Sequence, residues 1–287
     1  MLDAARNLPS AGDAVRRGVP GPHAMRKLLA PAALLWTIGV LGPLLWILRL
    51  SLAWQGSPKD EHAYDVLFYH PGTWTLENYA RIFSEWFYVR MLLFTAGLAL
   101  LVTAVSVTLG YILAYAVYRA TPRFKTALLV LIVMPKLTNI LVFIFGLKIM
   151  LGPSGLLPVV AGETFLLLPY AAMTIAAALE AVPRHLIDTA RGLGARPAAA
   201  FWNVVFPLSL PGVVAAVLLV LLWSLGAFLG PYLLGNPSQY TVAVQVDRET
   251  NFDLNWALAA ALNTVMMVSV AAIGYGASRF RSRAACR

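Results

Sequence analysis

Charge is scarce in this chain of 287 residues: 12% are Asp, Glu, Lys or Arg, and only 13 residues are acidic. Cysteine is scarcer still. The single Cys286 leaves no partner for an internal disulfide and no cysteine cluster for a metal. Four histidines (His23, His62, His70, His185) are scattered without metal-ligand spacing. There is no G-x-x-x-x-G-K-[ST], so the chain brings no phosphate cradle of its own. A Gly-x-Ser-x-Gly elbow is also missing, as is a nucleophile with a base nearby. These absences exclude an enzyme and imply no cofactor.

What the chain has is hydrocarbon. Sixty per cent of residues are hydrophobic and mean hydropathy is +0.73. A helix needs about 20 apolar residues to cross a core of roughly 30 Å. Six runs meet or approach that length: 28–50, 91–118, 126–150, 162–180, 211–232 and 254–278. They are continuous rather than alternating, which indicates helices and not barrel strands. The fold class expected is an all-α membrane protein with six transmembrane helices. Residues 1–27, polar, basic and spotted with Pro and Gly, read as a disordered tail. Residues 279–287 form a second basic tail. The first run lacks a small-residue cleavage signal and is expected to be retained.

Placing both termini in the cytoplasm gives the inner segments 15 Lys/Arg against 3 Asp/Glu. The outer segments then hold 5 Lys/Arg against 9 Asp/Glu. An inside excess of Lys and Arg is the signature of a protein inserted this way. The net charge of +9 is therefore a topology signal, with attraction to anionic lipid as a side effect. Nucleic acid is not the implied partner.

Between the fourth and fifth runs lies Leu186-Ile-Asp-Thr-Ala-Arg-Gly-Leu-Gly-Ala-Arg-Pro, within a loop spanning 184–207. Ala and Leu favour a short helix with a smooth apolar face. Gly194 can take a left-handed conformation and turn the chain sharply after it. Pro197 is suited to the first turn of a second helix, where its missing N–H costs nothing. The expected result is a compact helical knob that fits a groove in a soluble partner.

This segment resembles the cytoplasmic "EAA" loop of permease subunits in binding-protein-dependent ABC importers. Asp188, Thr189 and Ala190 stand at the Glu-Ala-Ala positions and Gly194 at the following glycine. Val204, Phe206 and Pro207 fall at the aliphatic, apolar and proline positions. Asp for Glu and Thr for Ala are departures. The resemblance covers residues 75–275 and implies the type I importer permease (MetI-like) fold in a bacterial inner membrane. It also implies a partner set: an ABC ATPase dimer, a second and distinct permease subunit, and a periplasmic solute-binding protein. ATP hydrolysis would belong to the partner chains. The coupling positions carried over are Asp188, Ala190 and Gly194, with Leu193 and Ala195 flanking the glycine. A second stretch, Trp74-Thr-Leu-Glu-Asn-Tyr79-Ala-Arg-Ile-Phe83, is an interfacial helix by composition. It resembles the "TLENY" segment of such permeases, which implies contact with the binding protein.

A solute path needs polar groups at membrane depth, where they are costly and face protein or water. Lys136 stands beside Pro135, about ten residues into the third run, hence roughly 15 Å deep at about 1.5 Å per residue. Thr138 and Asn139 continue that polar patch. Pro169-Tyr170 interrupts the fourth run, and Gly226, Gly230 and Pro231 weaken the fifth. Lys136, Asn139, Tyr170, Trp223, Phe228 and Asn263 are the expected path residues. Thr138-Asn139 followed by Phe145-Gly-Leu-Lys148-Ile resembles the polyamine (spermidine/putrescine) branch. A polycation path is expected to present carboxylates, yet Glu163 and Glu180 fall at the ends of the fourth run and Lys136 would repel the cargo. An oxyanion carrier is the alternative within the class, and an ion-coupled secondary carrier the alternative outside it. The latter expects buried acids or His relays and an internal repeat.

Overall fold

The computed structural model describes residues 22–54 and 73–285. Every regular element among them is helical. The chain divides into residues 1–49 and a larger unit from Leu50 onward. Helix α1, Pro22–Ser51, begins within the stretch expected to be disordered, so residues 22–27 are already wound. Residues 1–21, the loop 55–72 and Cys286 lie outside the described residues. Leu34, Leu35, Trp36, Leu45 and Trp46 expose apolar surface along α1, as a helix solvated by lipid does.

The larger unit begins with a clamp. Asn78 donates Nδ2 to the carbonyls of Ser51 and Ala53, both at 3.0 Å, and the Tyr79 and Ser51 hydroxyls meet at 2.6 Å. These bonds fix α2, Glu77–Ser84, which is the wound part of the expected interfacial stretch. Helix α3, Trp86–Arg119, is long and apolar enough to cross a bilayer. It stops before Pro122, which opens α4, Pro122–Leu137, at its first turn.

The expected third span is not one rod. Thr138 and Asn139 take extended backbone, and a new helix, α5 (Ile140–Leu151), begins behind them. The Asn139 side chain accepts from the Leu141 N–H at 2.9 Å, which satisfies one donor of the fresh N-terminus. Pro135 in the last turn of α4 weakens the helix just before the break. At 16 and 12 residues neither piece is long enough alone, so among the described residues five long apolar helices stand where six spans were expected.

Helix α6 runs from Leu156 to Glu180, starting six residues before the expected 162. Short α7 (Arg184–Gly192) and α8 (Pro197–Ala200) follow. A π-helical turn, Phe201–Val205, leads into α9, Phe206–Leu225. The fifth span ends there rather than at 232, because Gly226 breaks the helix and α10 (Leu229–Leu234) forms separately. Helices α11 (Val242–Asn251) and α12 (Trp256–Ala285) complete the chain, so residues 279–285 of the expected tail are helical.

Helices α3, α6 and α9 form the centre. In lipid, burying apolar surface gives no drive for helix association, so close packing of small residues must supply it. A Cβ at Gly110 would stand 2.9 Å from Ala171 Cβ, and one at Gly212 would overlap the Ala178 methyl. Leu98, Val102, Val159 and Leu167 share one buried cluster with Val220 and Leu234. Ala114, Tyr118, Ile175 and Leu179 share another with Val205 and Ala216. The pairing of early with early and late with late residues shows that α3 and α6 run parallel.

Candidate functional site

The knob between α6 and α9 is closed by three backbone bonds. Leu193 N–H donates to Thr189 O, Gly194 N–H to Arg191 O, and Ala195 N–H to Ala190 O, each at 3.0 Å. The last two form the paired closure that ends a helix on a left-handed residue, and Gly194 has φ +89°. Pro197 occupies the first turn of the next helix, as its sequence position suggests. Ile187 packs into the cluster of Tyr115, Ile175, Leu179, Phe201 and Val205, which ties α7 to the helix bundle. Asp188 is exposed and Ala190 half-buried. Leu193 projects from the turn with 86% of its surface exposed. An apolar side chain is thus held out on a rigid stub whose other face is anchored.

Below the knob, aromatic rings gather. Phe201 meets Tyr111 and Tyr115 edge-on, with ring centroids at 6.0 and 5.1 Å. The Tyr111 and Ser209 hydroxyls lie 3.0 Å apart, and Ser209 in turn donates to Phe206 O at 2.9 Å. The Ser209 hydroxyl sits just past the π turn, in the first turn of α9.

Three of the six expected path residues come together. Lys136 Nζ lies 4.1 Å from the centre of the Tyr170 ring, and Tyr170 stacks on Trp223 at 5.0 Å with planes 26° apart. Phe228 instead stacks on Tyr232 at 5.4 Å. Asn139 is engaged as the cap of α5. Asn263 is exposed on α12.

Glu163 was placed at a helix end by its charge, and the structure corrects this. Because α6 begins at Leu156, Glu163 lies two turns inside the helix and is 4% exposed. The Gly230 backbone is pressed against its carboxyl: a Cβ there would stand 3.1 Å from Glu163 Cδ. Tyr170, which carries the Lys136 contact, stands seven residues further along α6, on the same face as Glu163. The neighbouring Thr164 hydroxyl and the Ser224 hydroxyl are buried without a hydrogen-bond partner. The signal that could have found Glu163 is the apolar run Leu156-Leu-Pro-Val-Val, long enough to begin a helix ahead of the acid. Glu180, by contrast, sits at the far end of α6 and pairs with Lys125 at 2.7 Å in a half-exposed bridge.

A further polar corner joins α2, α3 and α11. Glu249, buried, accepts from Gln245 Nε2 at 2.9 Å and from the Tyr88 hydroxyl at 3.3 Å. Burial raises its carboxyl above the ordinary 4.5, and Asp253 adds to the rise. Arg81, bridged to Glu85 at 2.8 Å, lies over the Tyr88 ring. No group of three His, Cys, Asp or Glu able to hold a metal occurs among the described residues.

A short α-helix closed by the left-handed Gly194 thus stands between two helices of a bundle long and apolar enough to cross a membrane. The chain belongs to the binding-protein-dependent transport system inner membrane component family, whose signature matches residues 106–283. It is accordingly a multi-pass protein of the inner membrane and a transport subunit. The spermidine/putrescine transport system permease protein PotB of Haemophilus influenzae is 29% identical over 233 residues, 73% of this chain and 81% of that protein. PotB of Escherichia coli is 28% identical over the same length, 84% of its own. The trehalose transport system permease protein SugB of Mycobacterium tuberculosis is 33% identical over 190 residues, 63% of this chain and 66% of SugB. Among solved structures, a bacterial ABC transporter involved in the import of the acidic polysaccharide alginate matches with TM-score 0.72 and 13% identity. That match covers 95% of this chain and 98% of that one. The MetNI methionine ABC transporter matches with TM-score 0.59 and 17% identity, over 68% and 94%. At such identities the structures share the fold.

Proposed function

We propose that this permease forms the solute path of an importer for polyamine-type organic cations and receives the work of a separate ATPase dimer through the 184–207 loop. The coupling half rests on the knob. A 9-residue helix, anchored by Ile187 and closed at Gly194, presents Leu193 to a groove in another protein. Asp188, Ala190 and Ala195 shape the same surface. An apolar side chain held out on a fixed stub loses little freedom on docking, which favours transmission of force over loose tethering. The partner set is two ATPases, a second and distinct permease chain, and a periplasmic solute-binding protein that delivers the cargo. Residues 74–83 are read as its contact, by their resemblance to the segment of related permeases. The two termini are cytoplasmic.

The cargo half rests on the polyamine permeases among its relatives and on the cation held against aromatic rings. Lys136 is occupied by Tyr170 and lies in the field of Glu163, so it offers an oxyanion little. The buried carboxylate that an amine path calls for is present at Glu163.

The test is reconstitution of the full importer in proteoliposomes with its neighbouring ATPase, permease and binding protein. ATP-driven uptake of radiolabelled spermidine is expected, with none of sulfate. Gly194→Asp is expected to lower uptake by more than about tenfold while the chain stays folded. No Cβ clash arises there, but φ +89° and a new charge distort the knob. Uptake by Gly194→Asp equal to wild type removes the coupling role; uptake of sulfate and not spermidine removes the cargo assignment.

A further inference from the structure

The Lys136 contact raises a question of charge. A cation 4.1 Å from a ring centre is well inside the roughly 6 Å range of cation–π attraction. Tyr170 then shares its π system with Trp223, the better cation acceptor of the two ring types, at 5.0 Å. Trp223 is 56% exposed in this subunit, so much of its indole is open to a visitor. An ammonium group therefore already occupies one part of an aromatic pair whose other part is accessible.

The cation is also movable. Lys136 stands in the last turn of α4, two residues ahead of Thr138, where Thr138 and Asn139 interrupt the helix. Its backbone is not locked into a through-going rod. A second resting place is near: Glu163, buried, stands seven residues before Tyr170 in α6, about two turns along the same helix face. An ammonium leaving the Tyr170 ring has a carboxylate to move towards.

We propose that Tyr170 and Trp223 form an ammonium-binding station in the translocation path, that Lys136 fills it when no cargo is present, and that a cargo ammonium displaces Lys136 towards Glu163. The proposal rests on the cationic-cargo reading above and specifies where that cargo binds. The lysine acts as a tethered competitor. It keeps the rings from standing empty in a low-dielectric wall, and it lowers the station's affinity enough for cargo to leave. Aromatic faces accept primary and secondary ammonium groups without fixing their spacing, so amines of different length are accommodated.

The experiment measures binding of radiolabelled spermidine to the assembled permease–ATPase complex in nanodiscs, by scintillation proximity, with no binding protein present. Uptake into proteoliposomes with the binding protein is measured in parallel. Lys136→Met removes the competitor and is expected to tighten binding about tenfold. Tyr170→Leu and Trp223→Leu are expected to weaken it about tenfold, whereas Tyr170→Phe, which keeps the ring, stays near wild type. Tetramethylammonium, which has charge but no N–H, is expected to compete. A merely structural lysine gives no gain in affinity when removed. If Tyr170→Leu fails to assemble, Lys136→Met decides alone, since its side chain keeps the stem length. Spermidine uptake by wild type together with unchanged binding in Lys136→Met overturns the station and leaves the cargo assignment standing. Absence of spermidine uptake by wild type overturns both.

Discussion

The two ends of the helix bundle are built by opposite rules. Where α3 and α6 finish, glycine meets alanine: Gly110 on Ala171 and Gly212 on Ala178, with no room for another atom. The acids at that end, Glu180 and Asp188, stay in water. Where the same helices begin, carboxylates are buried instead, Glu163 against Gly230 and Glu249 against Gln245 and Tyr88. The first end is interlocked and dry at its glycine contacts, with the Tyr111–Ser209 hydroxyl pair beside them, and it adjoins the knob. The second is polar and held by side chains that can turn. Under the proposed coupling, a machine driven from one end and loaded from the other needs stiffness at the first and adaptability at the second.

The contrast breaks most severely at Gly212. A Cβ there already overlaps the Ala178 methyl, which has no rotatable bond by which to step aside from its helix. Gly212→Val is expected to cost about 3 kcal/mol or more and to leave no assembled complex on size-exclusion chromatography. Normal assembly would show that the dry end is slack. The equivalent insertion at the other end is milder. Gly230→Ala drives a methyl into Glu163, a side chain that can rotate, so the expected loss is about 1 kcal/mol in a detergent melt. Adding Glu163→Ala should recover part of it, a coupling that a double-mutant cycle reads directly. Independent effects of the two changes would mean that they do not touch.

A subtler test uses acidity. Glu249, lying in α11 outside the long apolar spans, has a carboxyl raised above 4.5 chiefly by burial. An acid whose pKa is raised on folding binds more protons in the native state than in the unfolded one. Stability therefore falls as pH rises from 4.5 through the raised value. Melts of the complex across that window should show a decline that Glu249→Gln flattens; identical slopes would show that the corner is already relaxed. The smallest effect belongs to the dry end's surface. Lys125→Ala removes a half-exposed bridge to Glu180 and should change stability by less than about 1 kcal/mol.

How much of this was legible beforehand divides along the same line. The knob could be read because glycine and proline act locally: Gly194 turns left-handed and Pro197 opens a turn through properties of single residues. Lys136 and Tyr170 were singled out as polar or kinking features of apolar runs and Trp223 by residue type, although three separate helices bring them together. Hydropathy misled wherever it was used to set ends. It treated Glu163 as a boundary, although burial against a glycine lets the helix continue past a carboxylate. It also joined α4 to α5, since Thr138 and Asn139 lower hydropathy too little to register. The cue lay in side-chain chemistry: a proline followed four residues later by Asn, a residue that caps new helices. Phe228 and Asn263 were chosen by type alone, and their neighbours differ from those of the Lys136 group.

The π turn at Phe201–Val205 carries its own implication. Such a turn holds a surplus residue, and absorbing one residue into an ordinary α-helix swings everything beyond it by about 100°. Helix α9, with Trp223 near its far end, can therefore be spun about its long axis by a change only five residues in extent, seated beside the knob. A push delivered there need not tilt a rod through the bilayer; re-phasing the winding is enough to change which side chains look inward.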